Sequence, residues 1–459
     1  MSFETEGAET VPGGAARHEW ANTHQQRISC DLDDADSGAT GTFLQLLSTL
    51  GAGLMVVSVF GRIMETFSFL SVFRLGFMGL FGAVALSVIS GKFTISDLFG
   101  LHESRLVFLY WLLGLVGCVF SVWPGGAFNA WMNLLLVNLV FYQVLNVNVN
   151  TQHDLRVLSF SILACAASLS LGTLYFSTRI LVESGGITRY TMGETYDPND
   201  LAMILVTIFP IALAHLLNGR ILERLCALAV ALISILTIVK TGSRGGMVGF
   251  AAVGMVFVVM HTPQISRFKK MAVVLVFMGV VSFLAPDYLW ERFQTMFSGE
   301  DYNFDTEGEV LSTPGRLQIW AAGLQVFKDR FLPGVGIGQF GAATSQRMGQ
   351  FFFVTAHNTF LQAAVELGIF GILVLVLLIA AIFANCGSAY RSFAMSNTTG
   401  FFLDLPKYVV LSTIGFLVCN MFLSRAYSKL IPILLAYSAG MAHIARLRLE
   451  KTADTAVSD

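Results

Sequence analysis

Three side chains in this sequence have the types and settings for transfer chemistry: Arg244, Arg316 and His357. Arg244 sits in the turn TGSRGG, residues 241–246. Arg316 closes TPGR, residues 313–316, and His357 is followed by Asn358. A guanidinium offers a planar fork of donors that matches two phosphate oxygens at once. A neutral histidine can take a proton from a hydroxyl near pH 7. Two such forks and one base suit an anionic leaving group and a hydroxyl nucleophile. The plainer readings are an ordinary glycine turn, a surface arginine beside Trp320, and an interfacial histidine without a role.

Other residues could join them. Glycines around Ser243 and Arg244 permit a tight turn with exposed N–H groups, which suits an anion. Arg189, Lys240 and Arg425, with Lys429 beside it, fall in segments expected on the same side as the 241–246 turn. Their recurrence there suggests a basic site, although head-group snorkelling explains any one of them. Asp197, Asn199 and Asp200 in ETYDPNDLA serve as caps and turn residues, or orient arginines or sugar hydroxyls. Asn358 is a plausible cap. Glu366 lies inside an apolar segment, where acids are costly and usually functional; packing against a hydroxyl or an arginine is the plainer account. GVGIGQF, residues 334–340, lacks the spacing and strand context of a dinucleotide loop.

The elements that must position these groups are membrane helices. Only 13% of the 459 residues are charged and 55% are hydrophobic, with mean hydropathy +0.68. A soluble domain carries about a quarter charged residues. With about 20 apolar residues needed per crossing, twelve spans are expected: 43–60, 68–90, 106–123, 128–146, 156–176, 200–218, 222–240, 245–261, 270–285, 358–384, 406–424 and 429–446. The expected class is an all-α integral membrane protein with one large outer loop containing short helices. Its parts are a polar, acidic tail (1–41), nine spans (42–285), a loop (286–357), three spans (358–446) and a second tail (447–459). Thr313 and Pro314 read as the start of a loop helix whose apolar face is Leu317, Trp320, Leu324 and Phe327, ended by Pro333-Gly334.

Lys and Arg mark the cytoplasmic side. One alternating set of connections holds Lys92 and Arg105, Arg156, Arg220 and Arg224, Arg267 to Lys270, Arg391, and Arg446 to Lys451. Both termini are therefore expected in the cytoplasm and the 286–357 loop outside. No cleavable signal is expected, because the start is acidic and lacks an early apolar run. A net charge of −2 gives no reason to expect a nucleic-acid partner. The cysteines (30, 118, 165, 226, 386 and 419) show no metal spacing and read as small core residues. No metal site is expected.

The set SRGG, GRLQIW, LPGVGIGQF and HNTFLQAAVELGIFG resembles the O-antigen ligase and polymerase superfamily of bacterial membrane glycosyltransferases, over about residues 190–385. The resemblance implies a GT-C-like fold at the inner membrane. It implies a glycan donor on undecaprenyl pyrophosphate, and transfer on the periplasmic face without a metal or other cofactor. It gives Arg244, Arg316 and His357 the catalytic roles. The implied acceptor is lipid A core, a second lipid-linked repeat or a protein hydroxyl, with polysaccharide export and chain-length machinery as possible partners. The acidic tail is not part of that pattern. A secondary transporter for a small anion and a non-catalytic assembly factor are the rival readings. Matched repeats and mid-membrane charges would favour the transporter, and neither is apparent in the sequence.

Overall fold

The computed structural model describes residues 38–67, 69–70, 75–92, 97–175, 179–184, 187–192, 196–261, 268, 316–349 and 354–458. Its helices are α1 (Gly38–Met55), α2 (Ile63–Thr66), α3 (Leu75–Ile89), α4 (Asp97–Gly100), α5 (His102–Val119), α6 (Pro124–Trp131), α7 (Val137–Asn148), α8 (Gln152–Leu174), α9 (Pro198–Asn218), α10 (Ile221–Thr241), α11 (Arg244–His261), α12 (Arg316–Asp329), α13 (Phe340–Arg347), α14 (Thr359–Met395), α15 (Phe401–Asn420) and α16 (Leu430–Ser458). Nine helices among the described residues are long and apolar enough to cross a bilayer, and two more, Met78–Ile89 and Arg244–Met260, are apolar but shorter. They match eleven of the expected spans. The twelfth, 270–285, lies outside the described residues, as do the tail up to residue 37, the basic group Arg267, Lys269 and Lys270, the loop segment 286–315 with Thr313 and Pro314, and residues 350–353. The expected tail 447–459 is helical through Ser458, as an extension of α16.

Burial sorts the helices. Of the most apolar stretch, 83% is buried in α16 and 78% in α9, against 28% in α10. The first two therefore form the centre of the bundle. On α10, Leu222, Leu225, Leu228, Leu232 and Leu236 recur at helical spacing and are exposed, which is the pattern of a face turned to lipid. Helix starts follow local chemistry. At α9, Pro198 occupies the first turn, and the Asp197 carboxylate accepts the Asn199 and Asp200 N–H groups at 2.7 and 2.8 Å. Thr151 and Asp154 form the equivalent reciprocal cap on α8.

Three features depart from a plain helical bundle. An antiparallel hairpin, β1 (Arg179–Ser184) and β2 (Ile187–Met192), pairs Arg179 with Met192 and Val182 with Arg189. Two π-helical turns, Val56–Phe60 after α1 and Met132–Leu136 between α6 and α7, interrupt the α geometry. Helix α14, 37 residues long, is broken at Gly368 (φ 69°, ψ −167°).

The loop helix α12 also differs from expectation. It buries Ile319, Ala322, Gly323 and Val326, while Leu317 and Leu324 are exposed. The small pair Ala322 and Gly323 allows the closer approach. A Cβ on Gly323 would meet Leu361 and the Phe340 ring at 3.2 Å. Ile319 and Val326 pack with Phe340, Ala356 and Val365 in a second small core beneath the loop.

Candidate functional site

The 334–340 segment is a latch. Gly334, Gly336 and Gly338 all have positive φ (69°, 95° and 72°), which costs glycine little. The alternating glycines lay the chain against the broken part of α14. There the Val335 and Gly336 N–H groups donate to the Val365 and Glu366 carbonyls, both at 3.0 Å. The Val335 carbonyl in turn accepts the Val122 N–H at 3.1 Å, tying in the end of α5. The Gly368 break thus frees helix carbonyls that the loop satisfies, as irregular backbone at membrane depth requires.

Glu366 completes the latch, in line with its plainer reading of packing against a hydroxyl. It is buried, and its carboxylate accepts the Gly338 N–H at 2.8 Å, the Phe340 N–H at 3.2 Å and the Tyr427 hydroxyl at 2.7 Å. Those bonds commit it to holding the loop.

His357 follows directly from the latched segment. The Trp320 indole N–H of α12 donates to the Ala356 carbonyl at 2.9 Å, and the His357 N–H donates to Ser424 Oγ at 2.8 Å. The residue sits at φ 45°, a left-handed conformation uncommon outside glycine, though histidine is enriched there. Its Nε2 lies 2.8 Å from Thr355 Oγ1. Asn358 takes the plainer of its two readings: its side-chain oxygen accepts the Phe360 and Leu361 N–H groups, both at 3.0 Å, and caps α14. Thr359 Oγ1 donates to the Leu423 carbonyl at 2.8 Å and accepts the Arg425 N–H at 2.9 Å. The start of α14 and the 421–429 turn are therefore stitched together beside His357.

The 241–246 turn reaches the same turn from below. Gly242 (φ 58°) ends α10, and α11 begins at Arg244. A Cβ on Gly245 would sit 3.3 Å from Phe422 Cβ, and Cys419 Sγ donates to the Gly245 carbonyl at 3.6 Å. Ser243 is buried and its hydroxyl accepts the Gly246 N–H at 3.1 Å, so it caps α11 rather than facing a ligand. Arg189 is buried too. Its Nε donates to the Thr241 carbonyl at 2.9 Å and its Nη2 to Asn199 Oδ1 at 2.8 Å. Lys240 lies 5.7 Å from the Tyr190 ring centroid, within cation–π range. The hairpin thus braces the turn that presents Arg244, and the expected ligand contacts of Arg189 and Asn199 give way to this bracing.

Asp197 and Asp200 cap α9, as their plainer reading has it. Asp200 does more. It is 1% exposed and holds Arg425 through two contacts, from Nε and from Nη2. Burial lowers the Arg425 pKa from its ordinary value, while Asp197 and Tyr196 oppose that shift. The Arg425 side chain is 38% exposed, so removing Asp200 strands a partly solvated guanidinium. The Asp200→Ala variant is therefore expected to lose about 1–3 kcal/mol of stability, read as a fall in the detergent-solubilised melting temperature. A smaller loss in the double variant Asp200→Ala/Arg425→Met would identify the stranded guanidinium as the cause.

The structure thus brings the settings of Arg244 and His357 to the 421–425 turn, and links α12 to His357 through residue 356. Arg244's helix start packs on Phe422, His357 hangs from Ser424, and Arg316 opens the helix whose Trp320 holds residue 356. Sequence reasoning missed Trp320's role, Ser424 and the hairpin; the pair Gly185-Gly186 between β-branched runs was a usable hairpin signal. Among the described residues no three His, Cys, Asp or Glu side chains gather into a metal-binding group.

A family model described as O-antigen ligase matches residues 229–376. The matched stretch runs from within α10 to within α14. It contains Lys240, Ser243, Arg244, Arg316, His357, Asn358 and Glu366, and stops short of Arg425. No curated protein matches the chain.

Proposed function

We propose, from the match of residues 229–376 to a family model described as O-antigen ligase, that the protein transfers a glycan from a polyprenyl diphosphate to an acceptor hydroxyl. The proposed donor is a glycan on undecaprenyl pyrophosphate, and the proposed acceptor is the lipid A core. The observation that supports this reading is that the Arg244 and His357 segments meet at the 421–425 turn while the helix opened by Arg316 holds residue 356. In the proposed reaction the guanidiniums of Arg244 and Arg316 bind the diphosphate. They stabilise the charge that grows on it as the bond to the anomeric carbon breaks. A ring nitrogen of His357 takes the proton of the acceptor hydroxyl as its oxygen attacks. Attack from the face opposite the leaving diphosphate inverts the anomeric centre. The products are the glycosylated acceptor and the free polyprenyl diphosphate.

The proposed orientation puts both termini in the cytoplasm and the 286–357 loop in the periplasm, with the bundle in the inner membrane. It follows the distribution of Lys and Arg. Asp305→Cys in a Cys30→Ala/Cys226→Ala background should be alkylated only from outside; labelling confined to the cytoplasmic side overturns the orientation.

The decisive assay is transfer by the purified full chain in liposomes containing undecaprenyl-pyrophosphate glycan. Product on lipid A core is the expected result. Product on a second lipid-linked repeat instead would make the protein a repeat-unit polymerase of the same superfamily. Full activity of both Arg316→Ala and His357→Ala would overturn the mechanism.

A further inference from the structure

Beside the latch lies a cavity of about 140 Å³ that touches none of Arg244, Arg316 and His357. Its walls include Phe60 and Leu134, one from each π-helical turn, together with Asp200, Ser424, Arg425 and Lys429. π-Helical turns often mark functional sites, and here both open onto one space. Arg62, just beyond Phe60, holds a left-handed backbone (φ 51°). Its guanidinium pairs with Glu65 at 3.0 Å and lies 5.7 Å from the Tyr196 ring centroid. Tyr196 also lines the cavity.

The charges lining this space do not cancel, because Arg425 and Lys429 stand against Asp200. Asp200, the only acid in the wall, is engaged by two edges of Arg425. Glu65 is engaged by Arg62. Asp197 is committed to the cap of α9 and bears on Arg425 from outside the cavity. The Lys429 ammonium has no carboxylate or hydrogen-bond acceptor among the described residues. Burial, then the Arg62 and Arg425 charges, push it down to about 8. A lysine pKa lowered in the folded state penalises folding at neutral pH, and the penalty fades as pH rises from about 8 towards the ordinary lysine value. Such a half-buried cation is costly unless an anion joins it.

We propose that this cavity is a second anion site, in which the Lys429 ammonium and Nη1 of Arg425 hold a phosphate-class oxyanion. Neither Nη1 nor the ammonium has a protein acceptor among the described residues. The Ser424 and Ser428 hydroxyls and the Gln362 amide in the wall supply further polar partners. Ser424 also accepts the His357 N–H, so the site adjoins the histidine. The anion belongs either to a substrate phosphate or to a phospholipid head group. The inference does not depend on glycan transfer, because it concerns binding alone.

The test uses inorganic pyrophosphate and the full chain in phosphatidylcholine nanodiscs, read by ³¹P line broadening and by calorimetry. Saturable binding that persists in Arg316→Ala and weakens about 10-fold or more in Lys429→Met is expected. Lys429→Arg should retain it. Between pH 7 and 9 the wild type should lose affinity relative to Lys429→Arg, because only the ammonium gives up its proton in that range. This comparison stands even if Lys429→Met does not fold. Competition by phosphatidylglycerol in the nanodisc would assign the site to lipid head groups, and its absence to a substrate phosphate. Binding unchanged in Lys429→Met, or wild-type and Lys429→Arg affinities that move together with pH, would overturn the proposal.

Discussion

Replacing His357 with asparagine is expected to lower the transfer rate by about 10²–10⁴-fold, the usual worth of a positioned proton acceptor. Asparagine is the informative replacement because it tolerates the left-handed conformation that His357 adopts at φ 45°. The backbone bond to Ser424 and the indole bond to Ala356 do not involve the imidazole. The loop should therefore keep its place and the melting temperature should hardly move. Alanine at the same position would add backbone strain of about 1–2 kcal/mol and confuse the two effects. Single-turnover transfer measured beside thermal unfolding separates them. A His357→Asn protein that transfers at the wild-type rate would remove the histidine from the chemistry. Removing one diphosphate-binding arginine is expected to cost about 10²–10³-fold by loss of charge stabilisation, with Arg316→Lys recovering little because an ammonium cannot reproduce the fork.

The second large effect is structural. Gly368→Ala should destabilise the protein by more than about 4 kcal/mol, in the range reserved for a disrupted core or a forbidden backbone. A Cβ at Gly368 would fall 2.2 Å from the Leu332 carbonyl oxygen, and the residue's φ of 69° excludes most side chains. The break at Gly368 exposes the two carbonyls on which Val335 and Gly336 hang. An alanine that restored continuous helix would withdraw both and release the latch. Protease cleavage between residues 330 and 349, accelerated in Gly368→Ala and unchanged in Gly387→Ala, where a Cβ meets nothing closer than Arg391 at 3.9 Å, is the expected signature at equal chain concentration. Equal resistance in Gly368→Ala and wild type would refute the latch. Glu366→Ala is expected to act in the same direction by about 1–3 kcal/mol, since it strands the buried Phe340 N–H and Tyr427 hydroxyl.

Hydropathy made the helices legible. Segments such as 200–218 and 222–240 differ from α9 and α10 by a residue or two at their ends, because a bilayer enforces length and apolarity together. Capping was legible for the same kind of reason: Asp197 and Asn358 act on N–H groups two or three residues away. What could not be read were partnerships across long separations. An acid at 366 shows only that it needs partners, not that Gly338, Phe340 and Tyr427 supply them. The ion partner of Arg425 could not be read either, because Asp200 lies 225 positions earlier. The face of α12 was misread because Leu317 and Leu324 outweigh Ala322 and Gly323 in hydrophobicity, whereas close packing favoured the smaller pair.

The broken helix α14 also bears on how the molecule is assembled. Residues 334–340 leave the ribosome before Val365 and Glu366, whose carbonyls they need, and after Val122, which they also need. During synthesis the strap can reach one of its two anchors and must wait for the other. Beyond Gly368, 27 residues of α14 continue, ~40 Å at 1.5 Å per residue, enough to cross the membrane without the first two turns. The span can therefore insert on its own and deliver Thr359–Leu367 to the strap afterwards. His357 waits longer still, because Ser424, which accepts its N–H, is made after α14, so a chain that stalls before the 421–425 turn carries Arg244, Arg316 and His357 without a finished setting for them.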